Sequence, residues 1–211
     1  MTSLRAIAPY ARRPAVRGGA RCELCGVAIV DDHRHLIDLT ERGLRCACVG
    51  CALLFTRPGL RYRAAPDRWL HDPGFTLDER IWSALQIPVR LAFFFRHSGR
   101  TGRDGGWVAL YPGPAGAAES LLALDAWQEL ADGCALVAHV EPDIEALLVA
   151  GDDEGRFSCY LVPIHACYEL TGRVKRSWRG FDGGEEAWRQ IGQFFAGVAA
   201  RSSPLPPEPA P

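Results

Sequence analysis

The alternation of apolar and polar positions predicts strands along much of the 211-residue chain. Near the N-terminus, His35–Leu39 alternates and Gly43–Cys48 returns, which predicts a β-hairpin. The apolar block Val89–Arg96 predicts a buried strand, and Trp107–Tyr111 predicts its antiparallel neighbour beyond a turn-rich connection. Three more strands are predicted farther along the chain: Ala135–Val140, Glu145–Ala150 and Phe157–Val162.

Apolar residues at helical spacing predict four helices. A capping box at Thr76 and Glu79 introduces the first helix, which ends before Pro88. The other three are Glu119–Ala131, Ile164–Trp178 and Glu185–Ala200. Helices interposed among successive hairpin-like strands favour an α+β class, with an antiparallel sheet and the helices packed on one side of it.

The chain divides into four segments of different composition. Residues 1–19 contain no acidic residue and are expected to form a flexible basic arm, and residues 203–211 are expected to form a Pro-rich tail. Between these termini we expect a small zinc-ribbon-like cysteine module at 20–57 and a larger α+β body at 60–202.

Composition and charge limit the functional classes. With 48% hydrophobic residues the chain can bury a substantial core, and no apolar run approaches the ~20 residues that span a bilayer. The formal net charge of −1 is unlike that of a dedicated nucleic-acid-binding protein. The charge is unevenly distributed: residues 1–63 carry 11 Arg and 5 acidic residues, a net charge of +6, and the rest of the chain has a net charge of −7. The first residues contain no signal-peptide apolar core, so we expect a cytoplasmic protein with reduced thiols.

Cysteine spacing carries the strongest chemical signal. Five of the eight cysteines lie within 30 residues, and two Cys-x-x-Cys pairs, Cys22/Cys25 and Cys48/Cys51, are separated by 22 residues. Each such turn points two sulfurs at a common centre, and two turns joined by a hairpin supply the four tetrahedral thiolates that Zn²⁺ prefers. Because four protein ligands leave no position for water, we expect a structural zinc site.

Three other residues of the module leave the ligand set open. Cys46 is an alternative to Cys48 or a ligand of a second metal ion, and His33 and His35 lie on one strand face at a spacing compatible with ligation. For these three residues a non-ligand role is favoured over ligation, and for the two histidines that role is as polar residues of an exposed hairpin. Iron is the alternative metal, because two Cys-x-x-Cys turns also form a rubredoxin-type Fe–S₄ site. Zinc is favoured, since rubredoxins usually repeat the glycine after each turn, whereas the second turn here continues as Cys51-Ala-Leu-Leu-Phe.

The body has weaker chemical patterns. His165 and Cys167 follow the apolar strand that contains Cys159, and we expect buried structural residues there rather than a nucleophile and its base. The basic helix end Arg173–Arg179 complements the helix dipole. The sequence contains no phosphate-binding glycine loop and no serine-nucleophile motif, so a non-enzymatic protein is favoured while an enzyme remains an open alternative.

The motifs RCELCG, HRHLIDL, CACVGCALLF, QIPVRLAFFF and YLVPIHACYELTGRVKRSWRGFDGGEEAW occur together in this chain. As a set, over about residues 20–198, they resemble an uncharacterised, mainly actinobacterial family encoded among NiFe-hydrogenase structural and accessory genes. The family has no established activity, so the resemblance implies a hydrogenase connection by association alone.

Two functions follow as expectations. The first is a non-enzymatic metal-binding accessory protein that assists assembly or maturation of a NiFe hydrogenase through protein–protein contacts, with a hydrogenase subunit or maturation factor as partner. The alternative is a rubredoxin-like Fe–S₄ redox protein that passes electrons or senses oxygen near the hydrogenase.

Overall fold

The computed structural model describes residues 19–99, 106–113, 115–152, 154–180 and 183–206. These residues form two sheets and five α-helices. Apart from Gly19, the predicted basic arm at 1–19 lies outside the described residues, as do the last five residues of the predicted Pro-rich tail.

The smaller sheet belongs to the cysteine-rich part of the chain. Its strands are β1 (Arg34–Asp38), β2 (Gly43–Ala47) and β3 (Tyr62–Ala64), all antiparallel in the order β2-β1-β3. The hairpin β1–β2 is the predicted one, whereas β3 and the short helix α1 (Val49–Phe55) had no counterpart in the prediction.

The larger sheet has seven strands. They are β4 (Leu70–His71), β5 (Leu91–Arg96), β6 (Trp107–Gly113), β7 (Gly116–Ser120), β8 (Glu145–Gly151), β9 (Phe157–Pro163) and β10 (Ser203–Pro204). Their order in the sheet is β10-β4-β9-β8-β5-β6-β7, and every neighbouring pair is antiparallel except β10 with β4. The predicted α+β class with an antiparallel sheet is therefore confirmed.

Helices cover both faces of this sheet. The prediction that they pack on one side of it is wrong. On one face Phe94 and Leu147 pack with Trp127, and on the other Phe93 and Leu148 pack with helices near the C-terminus. The central strands are apolar at successive positions, which is the pattern of strands buried on both faces. The covering helices are α2 (Glu79–Ala84) and α3 (Leu124–Asp132) on the first face, and α4 (Ile164–Ser177) and α5 (Gly184–Arg201) on the second.

Three local predictions are wrong. Helix α2 is capped by Asp78, whose Oδ1 accepts a 2.6 Å hydrogen bond from the Arg80 amide, instead of by Thr76. The predicted helix start at Glu119 is occupied by β7, in which Glu119 pairs with Leu110 of the antiparallel strand β6. The predicted strand Ala135–Val140 is a 3₁₀ helix over Ala135–His139, which packs Leu136 into the core.

The two sheets meet through β1 and the start of α4. Ile37 of β1 packs with Ile144 and Ile164 in a small apolar cluster. Arg63 of β3 donates a 2.7 Å hydrogen bond to the Glu141 carboxylate at the entry to β8.

Among the described residues no helix is long and apolar enough to cross a membrane.

Candidate metal centre

The first Cys-x-x-Cys turn is fixed by backbone hydrogen bonds. The Cys22 amide donates to the Val27 carbonyl at 2.8 Å, and the Gly26 amide donates to the Cys22 carbonyl at 2.8 Å. Gly26 has φ +74°, a left-handed conformation that glycine adopts without steric cost. This turn presents the sulfurs of Cys22 and Cys25 on one side.

The second turn is the start of a helix. Cys48 is the N-cap of α1, and its Sγ accepts a hydrogen bond from the Cys51 amide at 3.4 Å. Cys51 therefore lies in the first helical turn, so the two sulfurs of this pair are held by helix geometry rather than by a second glycine turn. The sequence had indicated two similar turns at this point.

The four thiols of the two turns converge. The Sγ atoms of Cys22, Cys25, Cys48 and Cys51 all lie within 4.8 Å of one another, and those of Cys25 and Cys48 are 3.8 Å apart. Zn–S bonds of about 2.3 Å separate the sulfurs of a tetrahedron by about 3.8 Å. The donor set and its spacing thus fit a metal ion with four thiolate ligands.

The pKa values of two thiols in the cluster also favour a bound cation. Burial raises the pKa of the Cys22 thiol, but hydrogen bonds from the backbone of Cys48, Cys25 and Leu24 outweigh it and bring the pKa to about 6. Burial and the neighbouring thiols raise the pKa of Cys51 to about 12. Cys22 is therefore a thiolate at neutral pH, whereas Cys51 needs a bound cation to ionise there.

The remaining three candidate ligands form a separate group. The ring nitrogens of His33 and His35 and the Sγ of Cys46 lie within 4.8 Å of one another, and none of them belongs to the four-cysteine group. His35 and Cys46 are direct partners across the β1–β2 pair. Burial, followed by the nearby rings of His165 and His33, lowers the pKa of His35 to about 4, so this imidazole is neutral at pH 7.

The thiols of the body are buried in its core. Cys167 is buried, and burial raises the pKa of its thiol to about 12, which is opposite to what a nucleophile needs. His165 stacks on His35 with ring centroids 4.4 Å apart instead of pairing with Cys167. Cys134 and Cys159 face each other with their sulfurs 3.3 Å apart inside the core, a proximity that the sequence spacing gave no signal for.

Exposed apolar side chains concentrate in the cysteine-rich part of the chain. Of the nine large apolar residues that are exposed in the described part of the chain, six lie between residues 30 and 60. Leu53 is 72% exposed and Leu54 is 60% exposed, both on α1, which begins at the second cysteine pair. The full set is Val30, Val49, Leu53, Leu54, Phe55 and Leu60, which we name the module patch.

Comparisons with known proteins return one finding. A family model described as a family of unknown function, DUF5947, matches residues 21–202. The matched range begins at the first cysteine turn and includes both sheets except β10. No curated protein and no solved structure matches the chain.

Proposed function

We propose, for a chain that belongs to the DUF5947 family of unknown function, a non-enzymatic accessory role in which a zinc-centred module binds a protein partner. Cys22, Cys25, Cys48 and Cys51 supply all four ligands of the zinc ion, so the ion carries no water and stabilises the fold of the module. The convergence of the four thiols supports this ligand set.

The module patch is the observation that carries the binding role. Exposed apolar side chains are costly to leave in water, and large exposed apolar patches mark interaction sites. The patch lies mainly on α1, whose N-cap Cys48 is a zinc ligand in this proposal, so the metal fixes the position of the binding surface. Exposed Arg57 lies within the same segment and exposed Asp31 and Asp32 follow Val30, so charges of both signs border the patch.

The partner we propose is a subunit or maturation factor of a NiFe hydrogenase, as the sequence resemblance implies. Reduced thiolates at the zinc centre favour a cytoplasmic location. The uneven charge of the sequence supports transient binding that weakens as salt is raised.

The test combines a pull-down with substitutions in the patch. The double variant Leu53→Ser/Leu54→Ser is expected to bind the hydrogenase protein at least about tenfold more weakly, because apolar residues at the centre of an interface carry much of its free energy. Leu121→Ser is the matched control, since Leu121 is 95% exposed and lies in the body. Equal loss of binding in both variants would contradict the proposed surface.

Deletion of the gene tests the partner itself. We expect hydrogenase subunits that are expressed but remain immature or unassembled. Normal assembly and hydrogen uptake, together with a crosslinked pull-down that recovers no hydrogenase protein, would contradict the accessory role.

A rubredoxin-like protein is the second candidate, and exposed Cys25 is the observation that favours it. A ligand sulfur at the surface gives a buried iron ion a short path for electron transfer. A red protein with thiolate-to-iron absorption bands and a selective loss of electron transfer in the deletion strain would support this candidate. A colourless protein with stoichiometric zinc supports the accessory role, because d¹⁰ zinc has no such bands.

A further inference from the structure

We propose that His33, His35 and Cys46 form a second metal site, which binds Zn²⁺ through two imidazoles and one thiolate. The site lies on the β1–β2 hairpin and shares no ligand with the four-cysteine group. It extends the proposed function without depending on the identity of the partner.

The three donor atoms are already close. They lie within 4.8 Å of one another, and donors on one zinc ion are about 3.5 Å apart, given Zn–S and Zn–N bonds of about 2.3 and 2.0 Å. Small side-chain rotations close that gap. The register of the hairpin pairs His35 with Cys46 directly, so the backbone holds two of the three ligands opposite each other.

His33 has the hydrogen-bonding arrangement of a metal ligand. Its Nδ1 lies 2.8 Å from the Val30 carbonyl, which can only accept a hydrogen bond, so Nδ1 carries the proton and Nε2 carries the lone pair. Nε2 is buried and has no hydrogen-bond partner among the described residues. Metal-binding histidines characteristically donate their other ring N–H to a carbonyl or carboxylate, which fixes the ring and its tautomer.

His165 of the body positions His35. The two rings are stacked at 4.4 Å with an interplanar angle of 14°, and Trp69 contacts His165 edge-on at 6.2 Å. His165 lies in the first turn of α4, so a helix packed on the larger sheet orients a ligand of the smaller sheet. His165 is therefore a positioning residue, and the donor set itself remains His33, His35 and Cys46.

Three protein ligands give this site a different chemistry from the four-cysteine group. A zinc ion with three protein ligands keeps a fourth position for water or another exchangeable ligand, whereas four thiolates close the coordination sphere. All three ligand residues are partly exposed, and in this proposal a water molecule or another exchangeable ligand takes the fourth position.

Metal counting on the full-length protein tests the proposal. After metal removal and reloading with excess Zn²⁺, the wild-type chain is expected to retain two ions after gel filtration. Cys46→Ser and His33→Ala are expected to retain one ion each, and the ion that remains in the four-cysteine group shows that these variants are folded. His139→Ala is the matched control, since His139 is exposed on the body, and it should retain two ions.

Three outcomes would overturn the second site. One is a single ion in the wild-type chain, and another is two ions in both ligand variants. The third is loss of every ion in Cys46→Ser, because Cys46 would then belong to the four-cysteine group.

Cobalt substitution gives an independent readout and tests His165. Co²⁺ in the wild-type chain should show two sets of d–d bands, because the imidazole-rich site absorbs at shorter wavelength than the four-thiolate site. His165→Phe should change the bands of the second site alone and weaken its affinity about tenfold, as expected for a residue that orients a ligand. Unchanged bands and affinity would remove His165 from the proposal.

Discussion

Two carboxylates are fully buried among the described residues, Asp38 and Glu145, and each is bound by an arginine. Asp38 ends β1, and its Oδ1 accepts hydrogen bonds from the Thr40 amide at 3.0 Å and from Arg61 Nε at 2.8 Å. The Arg61 guanidinium is the main reason why the pKa of Asp38 falls to about 2, against the opposing effect of burial. Through these hydrogen bonds the Asp38 carboxylate connects the β1–β2 turn to the segment that leads into β3.

We expect Asp38→Asn to lower the free energy of unfolding by about 2 kcal/mol at pH 7, since hydrogen bonds to a charged group contribute about 1.5–3 kcal/mol. Because the folded-state pKa lies below the unfolded value of about 3.9, the stabilisation is present above pH 4 and is lost as the pH falls toward 2. Urea unfolding of the wild type and of Asp38→Asn between pH 7 and pH 2 measures the difference in their free energies of unfolding.

The control for Asp38 is Asp152→Asn, because the Asp152 carboxylate pairs with Arg156 at the surface. Its effect on the free energy of unfolding should be much smaller than that of Asp38→Asn, because exposed ion pairs contribute little to stability. If the difference in the free energy of unfolding between the wild type and Asp38→Asn does not decrease in acid, the charged state assigned to the Asp38 carboxylate is wrong.

At the scale of elements, the two cysteine pairs are held by different backbone conformations. The first pair depends on a tight turn with Gly26 in a left-handed conformation, and the second depends on the first turn of α1. In the proposed centre the metal ion joins the two turns, so the conformation of each turn contributes to metal affinity.

Gly26→Ala is expected to weaken metal binding about fivefold, which corresponds to about 1 kcal/mol, because alanine is strained at φ +74°. A Cβ at Gly26 meets no atom within 4 Å, so the cost comes from the backbone alone. Gly43→Ala is the matched control, with equally open surroundings and no positive φ, and its affinity should be unchanged. Competition with a chromophoric chelator measures the affinities, and an equal effect in both variants would contradict this explanation.

At the scale of the whole molecule, the two sheets have separate cores. The buried residues around the four cysteines form one cluster, and the seven-stranded sheet has a cluster on each face. The contact between the sheets is smaller and involves Ile37, Ile144 and Ile164. Folding of the smaller sheet should therefore depend on metal far more than folding of the larger one.

Cys51→Ser is expected to lose the metal of the four-cysteine group and to unfold the module, because ligation supplies on the order of 10 kcal/mol in such modules. Amide hydrogen exchange should become fast in β1, β2 and β3 while β8 and β9 stay protected. Cys46→Ser should keep that metal and the protection of the hairpin. Loss of protection in β8 and β9 of Cys51→Ser would show that the two sheets fold as one unit.

Local signals in the sequence determined several features by themselves. The spacing of Cys22 with Cys25 and of Cys48 with Cys51 indicated two metal-binding turns, since a turn of four residues brings its own ends together whatever surrounds it. The period of apolar residues likewise gave α4 and α5 to within two residues at each end, and strand alternation gave the β1–β2 hairpin.

Only the tertiary structure decided the features that depend on distant residues. The stacking of His165 on His35, the binding of Asp38 by Arg61 and the grouping of His33 with Cys46 join parts of the chain that share no local pattern. The same reason accounts for Ala135–His139, where an apolar run typical of a strand forms a 3₁₀ helix to bury Leu136. Sequence periodicity reports which face of an element is apolar, whereas strand order and register decide what that face meets.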